Sequence, residues 1–131
     1  VRGVVSLVRP DRVIAVDALS AREAARLCRA VQVTDAGIVP GSGVGNARSA
    51  LTEETLGVPV VAVGVPTVVD ARTLCADLSG AEIDLPEDTE LFVTPRDIDS
   101  RVRDSARLVG YAIDLALHDA LTIEDIDIFL A

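Results

Sequence analysis

The 131-residue chain has no lysine, methionine or tryptophan, one histidine, two cysteines and three aromatics, Phe92, Tyr111 and Phe129. With so few rings, the core has to be built from Val, Leu, Ile and Ala. Such cores suit a sheet buried on both faces, whose strands read as near-continuous β-branched runs. The missing lysine excludes a P-loop, which ends in Gly-Lys-Ser/Thr. A single histidine with no clustered cysteines argues against a zinc site. It also leaves Ser20 and Ser42 without the partner that a Ser/His nucleophile needs.

Cys28 and Cys75 stand far apart in sequence and match no metal-ligand spacing. They read as buried thiols of a reducing compartment. All twelve basic residues are arginine, a skew that reflects genome composition better than chemistry. The net charge of −9 speaks against a nucleic-acid partner, which would need a basic stripe. Much of the acidity follows Asp77 and reads as solvated surface. No apolar run is long enough to span a membrane, and no basic stretch precedes an apolar leader. A cytoplasmic location without membrane, metal or cofactor is the expectation.

The length admits one domain with a sizeable core. Val1–Val8 carries apolar residues at 1, 4, 5 and 8, a helical stripe with no cap before it, so the domain reads as incomplete at its N-terminal side. Arg12–Val16 reads as a buried strand ending at Asp17. Ser20 and Glu23 form the pattern of a capping box for a helix through Cys28. Val31–Thr34 is the next strand, leading to Asp35 and a glycine-rich loop. Thr52 opens a short helix, with Glu53 and Glu54 in its first turn and Gly57 at its end.

Val58–Val63 is the most strand-like run, and Pro59 near its start suggests an edge entry rather than a mid-ladder position. A helix over Val69–Leu78, an acidic surface connection over Ala81–Glu90 and a strand over Glu90–Val93 follow. Thr94-Pro95 then starts a long helix to Leu117, since Pro suits the first helical position. Thr122 opens a last amphipathic helix with Ile123, Ile126, Phe129 and Leu130 on or near one face. Strand–helix alternation at this spacing predicts an α/β fold, three layers α/β/α around a mainly parallel sheet.

The loop Pro40-Gly41-Ser42-Gly43-Val44-Gly45-Asn46 fails the dinucleotide fingerprint, because Asn46 stands where the third glycine belongs. What remains is permissive backbone that can point N–H groups into a concavity. Such a loop serves a carbonyl or an anion, or lets an extended peptide approach closely; equally, it is a structural turn. Asp17, Asp35 and Asp70 each follow an apolar run or sit in the turn after one. Parallel strands would bring Asp17 and Asp35 to one sheet edge, with Asp70 nearby. Two carboxylates in one site split their pKa values, so one acts as base and the other as acid on an attacking water. The plainer reading of each is a helix or turn cap. His118, ending the long helix, reads as a dipole-favoured helix-end residue.

The segments VIAVDALSAR (Val13–Arg22), VTDAGIVPGSGVGNAR (Val33–Arg48), LTEETLGVPVVAVGVPTVVDA (Leu51–Ala71) and LFVTPRDIDS (Leu91–Ser100) resemble the bacterial germination protease, or spore protease, family. The similarity runs almost without gaps from Pro10 to about Ala71. It resumes at Leu91 and continues to His118.

The resemblance implies an aspartic-type endopeptidase that degrades small acid-soluble spore proteins at germination. The resemblance also implies synthesis as a self-processing zymogen, assembly as a tetramer, action in the forespore or spore core, and a fold similar to hydrogenase maturation proteases. The resemblance assigns one of the family's two essential aspartates to Asp17; Asp35 and Asp70 stand as weaker candidates on their positions after apolar runs alone. The other essential aspartate falls upstream of Val1, so the upstream half of the parent or another chain would supply it. The chain is also shorter than the family between Ala71 and Leu91. Gly41, Ser42, Gly43, Gly45 and Asn46 are read as substrate-binding. Two other functions compete, a non-catalytic binding module of the same fold and a metal-dependent maturation peptidase.

Overall fold

The longest β-branched run of the sequence becomes the strand on which the sheet is built. In the computed structural model, which describes residues 1–46, 48–81, 84, 86 and 90–130, the strand β1 spans Val13–Ala21, β2 Gln32–Thr34, β3 Val60–Asp70 and β4 Phe92–Val93. Five helices accompany them: α1 Arg2–Val8, α2 Glu53–Leu56, α3 Ala71–Ser79, α4 Ile98–Leu117 and α5 Ile123–Leu130. The described chain divides into two compact units, Val1–Arg96 with the whole sheet and Asp97–Ala131 with α4 and α5.

β3 is central. β1 lies parallel along one edge, from Val13 opposite Val60 to Ala21 opposite Val69. β2 and β4 are both antiparallel to β3, at Gln32–Thr34 against 62–64 and at Phe92–Val93 against 69–70. A strand has two edges and β1 occupies one over this whole length, so β2 and β4 share the other in succession. Between them the Cys28 N–H donates to the Pro66 carbonyl at 2.7 Å. The Thr94 hydroxyl donates to the Thr67 carbonyl at 2.8 Å. The core sits on β3, where Val60, Pro66 and Val69 are fully enclosed. The fold is α/β with a mixed sheet, one long parallel pairing and two short antiparallel ones.

Several expectations change. β1 does not stop at Asp17, because β3 continues beside it and keeps its backbone paired to Ala21. Ser20 is therefore a strand residue. The expected helix to Cys28 shrinks to a single 3₁₀ turn, Ala24–Arg26, with no side-chain cap from Glu23. The Asp77 carboxylate of α3 accepts the Ala24 N–H instead, at 2.6 Å. β3 does not end before Pro66 but runs through it. Leu19 pairs with Pro66 and Ser20 with Val68, so Thr67 is an extra residue beside the proline. A bulge is where a strand tolerates proline. Pro59 lies just before β3, outside the ladder rather than within it, and the strand it leads into is the central one.

α4 begins at Ile98 rather than at Thr94-Pro95, since the Thr94 hydroxyl is tied back to β3. Other elements form as their local signals predict. α1 forms, although only Val5 of its apolar stripe is buried. In α2, Thr55 takes the part of the usual Glu. Its hydroxyl accepts the Thr52 N–H at 3.0 Å while Thr52 Oγ1 accepts the Thr55 N–H at 3.3 Å. Cys28 and Cys75 are half-buried rather than buried. The connection expected over Ala81–Glu90 lies largely outside the described residues, as do the side chains of Phe129 and Leu130.

Candidate active site

Residues at paired positions across a sheet present their side chains on the same face. Asp17 on β1 pairs with Gly64 on β3, and Gly64 pairs with Gln32 on β2. The three form one row across the sheet. Gly64 contributes no side chain, and the end of Leu19 occupies the space a Cβ there would fill, within 2.3 Å. Asp17 and Gln32 thus stand on either side of a low apolar floor. A cleft of about 210 Å³ opens here, lined among others by Asp17, Leu19, Arg22, Gln32, Gly41 and Gly43. Asp17 is half-buried and Gln32 exposed.

The glycine loop forms the cleft's other wall. Gly41 adopts φ 75°, and a Cβ there would meet the Asn46 carbonyl oxygen at 2.1 Å, so the turn accepts no side chain. Gly43 lies against Ser20 of β1, which seats the loop on the strand. Within the loop the Ser42 N–H donates to the Val39 carbonyl, and the Val44 and Asn46 N–H groups donate to the Gly41 carbonyl. Those three donors are occupied by the turn itself. Gly41, Ser42 and Gly43 line the cleft, whereas Gly45 and Asn46 are not among its lining residues.

The other aspartates do not gather with Asp17. β2 is antiparallel, so Thr34 pairs with Ala62, two rows from Asp17 toward the start of β3, and Asp35 lies beyond it. It is exposed in a bend, where the Ala36 N–H donates to Thr34 Oγ1. Asp70 is six residues beyond Gly64 on β3, about 20 Å at strand rise. Its carboxylate caps α3 by accepting the Arg72 N–H at 2.8 Å. The expectation of three carboxylates at one edge fails because β2 is reversed and β3 continues. His118 follows the last residue of α4, its Nδ1 3.0 Å from the Asp114 carbonyl. Among the described residues no group of three or more His, Cys, Asp or Glu could hold a metal ion. No described helix is long and apolar enough to cross a membrane.

The sequence reading missed Gln32, Leu19 and Arg22 as cleft residues.

Every residue lining this cleft falls within residues 1–80, the stretch matched by the sequence model of the germination protease family. Among curated proteins, the chain is similar to the germination protease of Clostridium tetani, with 35% identity over 162 aligned positions. That match covers 99% of this chain and 50% of the relative. The germination protease of Caldanaerobacter subterraneus subsp. tengcongensis is 37% identical over 158 positions, 96% of this chain and 49% of the relative. That of Bacillus subtilis is 56% identical over 77 positions, 59% of this chain and 21% of the relative. The chain spans about half the length of the clostridial relatives it matches. The family match over the cleft-bearing unit and the extent of these similarities make the chain a member of the germination protease family.

Proposed function

We propose that this chain carries the Asp17 half of an aspartate-dependent endopeptidase site that cleaves small acid-soluble spore proteins. The observation that carries the reading is that Asp17 and Gly41–Gly43 line one cleft within the family-matched residues. In this mechanism the Asp17 carboxylate takes a proton from a water molecule, whose oxygen attacks the scissile carbonyl carbon. A second carboxylate, supplied by an upstream segment or another chain, gives a proton to the leaving nitrogen as the C–N bond breaks. A shared site keeps one carboxyl protonated and the other ionised, which suits the two roles. The loop Gly41–Asn46 borders the path of an extended peptide.

The same reading takes residues 1–131 as one α/β domain, three-layered and similar to hydrogenase maturation proteases, in a protein synthesised as a zymogen. It places the protein in the cytoplasm of the forespore or spore core as a homotetramer. The test compares cleavage of a small acid-soluble spore protein by this chain alone and after adding the upstream half of its parent. Turnover that appears on complementation, and is lost with Asp17→Asn, supports the reading. Turnover that survives Asp17→Asn overturns the mechanism.

A second reading, a non-catalytic binding module, is favoured by one observation. Among the described residues, Asp17 is the one carboxylate lining the cleft. Binding of the spore protein without cleavage in the complemented protein would select it.

A further inference from the structure

We infer that Gln32 is a catalytic residue of this site, its side-chain amide donating to the carbonyl oxygen of the peptide bond that Asp17-activated water attacks. The inference rests on the endopeptidase reading and adds a residue to it. Its warrant is the row Asp17–Gly64–Gln32, continuous through both pairings of the central strand.

Strands are spaced about 4.8 Å apart, so the Cα atoms of Asp17 and Gln32 lie about 10 Å from each other on one face. An extended peptide laid over Gly64 has one strand's width on either side. Its carbonyl carbon is then exposed to a water held by Asp17, and its oxygen turns toward Gln32. The floor beneath is the apolar end of Leu19.

Water attack moves negative charge onto that oxygen, and a fixed donor aimed at it stabilises the transition state more than the ground state. In the glycine loop, the Ser42 N–H at the cleft already serves the Val39 carbonyl. Arg22, also at the cleft, stands beyond the end of β1 and five positions along from Asp17. Gln32 is in Asp17's own row, and its amide carries two N–H donors. Gln32 is exposed, so its amide is open to a peptide lying in the cleft.

The test measures kcat and KM of the complete protein on a small acid-soluble spore protein, for wild type, Asp17→Asn, Gln32→Ala and Gln32→Glu. Gln32→Ala should lower kcat roughly 100-fold with KM within about twofold, the pattern for loss of one transition-state donor. Gln32→Glu presents an acceptor-only carboxylate at neutral pH and should fall at least as far. Its rate relative to wild type should climb as pH drops through the glutamate range near about 4.3, where the protonated acid donates again. A purely structural Gln32 would not give that pH-dependent ratio. Wild-type kcat in Gln32→Ala, with Asp17→Asn inactive, overturns the Gln32 role and leaves the endopeptidase reading standing. Full turnover by Asp17→Asn overturns the reading beneath it. Circular dichroism confirms that each variant is folded.

Discussion

Gly43 approaches Ser20 so closely that a Cβ built on Gly43 would lie 2.9 Å from the Ser20 Cβ and 3.1 Å from its nitrogen. Ser20 belongs to β1, and its backbone is held in the ladder with β3. The strand cannot yield easily, so the loop must. Gly43→Ala should lift the loop from the strand, costing about 1–3 kcal/mol by overpacking. Spore-protein turnover should fall with it, because the displaced loop is one wall of the cleft. Urea midpoints and turnover in the complete protein check both effects. A variant with an unshifted midpoint would show that the contact is not required.

The short α2 depends on reciprocal capping by two threonines. Thr55→Val keeps the shape of the side chain but removes the hydroxyl that accepts from Thr52 and donates to the Ala50 carbonyl at 2.8 Å. The expected loss is about 1 kcal/mol, typical of a removed cap. Chemical denaturation of Thr55→Val beside Thr55→Ser separates the hydroxyl from the methyl. Thr55→Ser should retain most of the stability.

These caps mark how far the chain was legible without coordinates. Thr52, Gly57 and Thr122 declare their helices through nearest neighbours, and the helices they bound formed. The direction of β2 and the length of β1 were not legible, because they depend on which strand lies alongside. A run such as Val31–Thr34 looks the same in either direction. Asp17 and Gly41–Gly43 line one cleft. Asp35 and Asp70 scattered because reversal of β2 and extension of β3 are tertiary facts. Gln32 joined the site for the same kind of reason, since only its pairing with Gly64 reveals its face.

One side chain from α3 substitutes for a missing helix cap. The Asp77 carboxylate accepts the Ala24 N–H at 2.6 Å, holding the 3₁₀ turn that follows β1. Asp77→Ala should release that turn. The bond is exposed, so the expected cost is about 1.5 kcal/mol, at the lower end for a hydrogen bond to a charged group. Amide hydrogen exchange gives the sharper readout. Ala24 should lose protection in Asp77→Ala while the β3 amides keep theirs.

At the start of α5, Asp125 accepts from both the backbone N–H and the hydroxyl of Thr122, at 2.9 and 2.8 Å. The Thr122 N–H and hydroxyl bonds hold its carboxyl below the usual aspartate range. Asp97, before α4, is lowered in the same direction, chiefly by its bond from the Arg101 side chain. A depressed folded pKa means the charged form is favoured by folding. The stabilisation is therefore complete above the unfolded value and is lost as pH falls through the folded one. Carboxyl carbon NMR titrations should give both residues midpoints below the ordinary aspartate value of about 3.9. Thr122→Ala should return Asp125 toward it and leave Asp97 unmoved.

The bulge at Thr67 is the one place where β3 carries a residue that β1 does not match. Leu19 pairs with Pro66 and Ser20 with Val68, so the extra residue is absorbed and the ladder resumes in step. Val69 keeps its enclosed position and Asp70 its place at the first N–H groups of α3. Elsewhere along β3, adding or removing one residue would turn every later side chain to the opposite face. At Thr67 the strand can lose a residue and keep the faces of Val68, Val69 and Asp70. Homologous proteins could therefore differ by one residue in length here while the foundation of α3 stays in place.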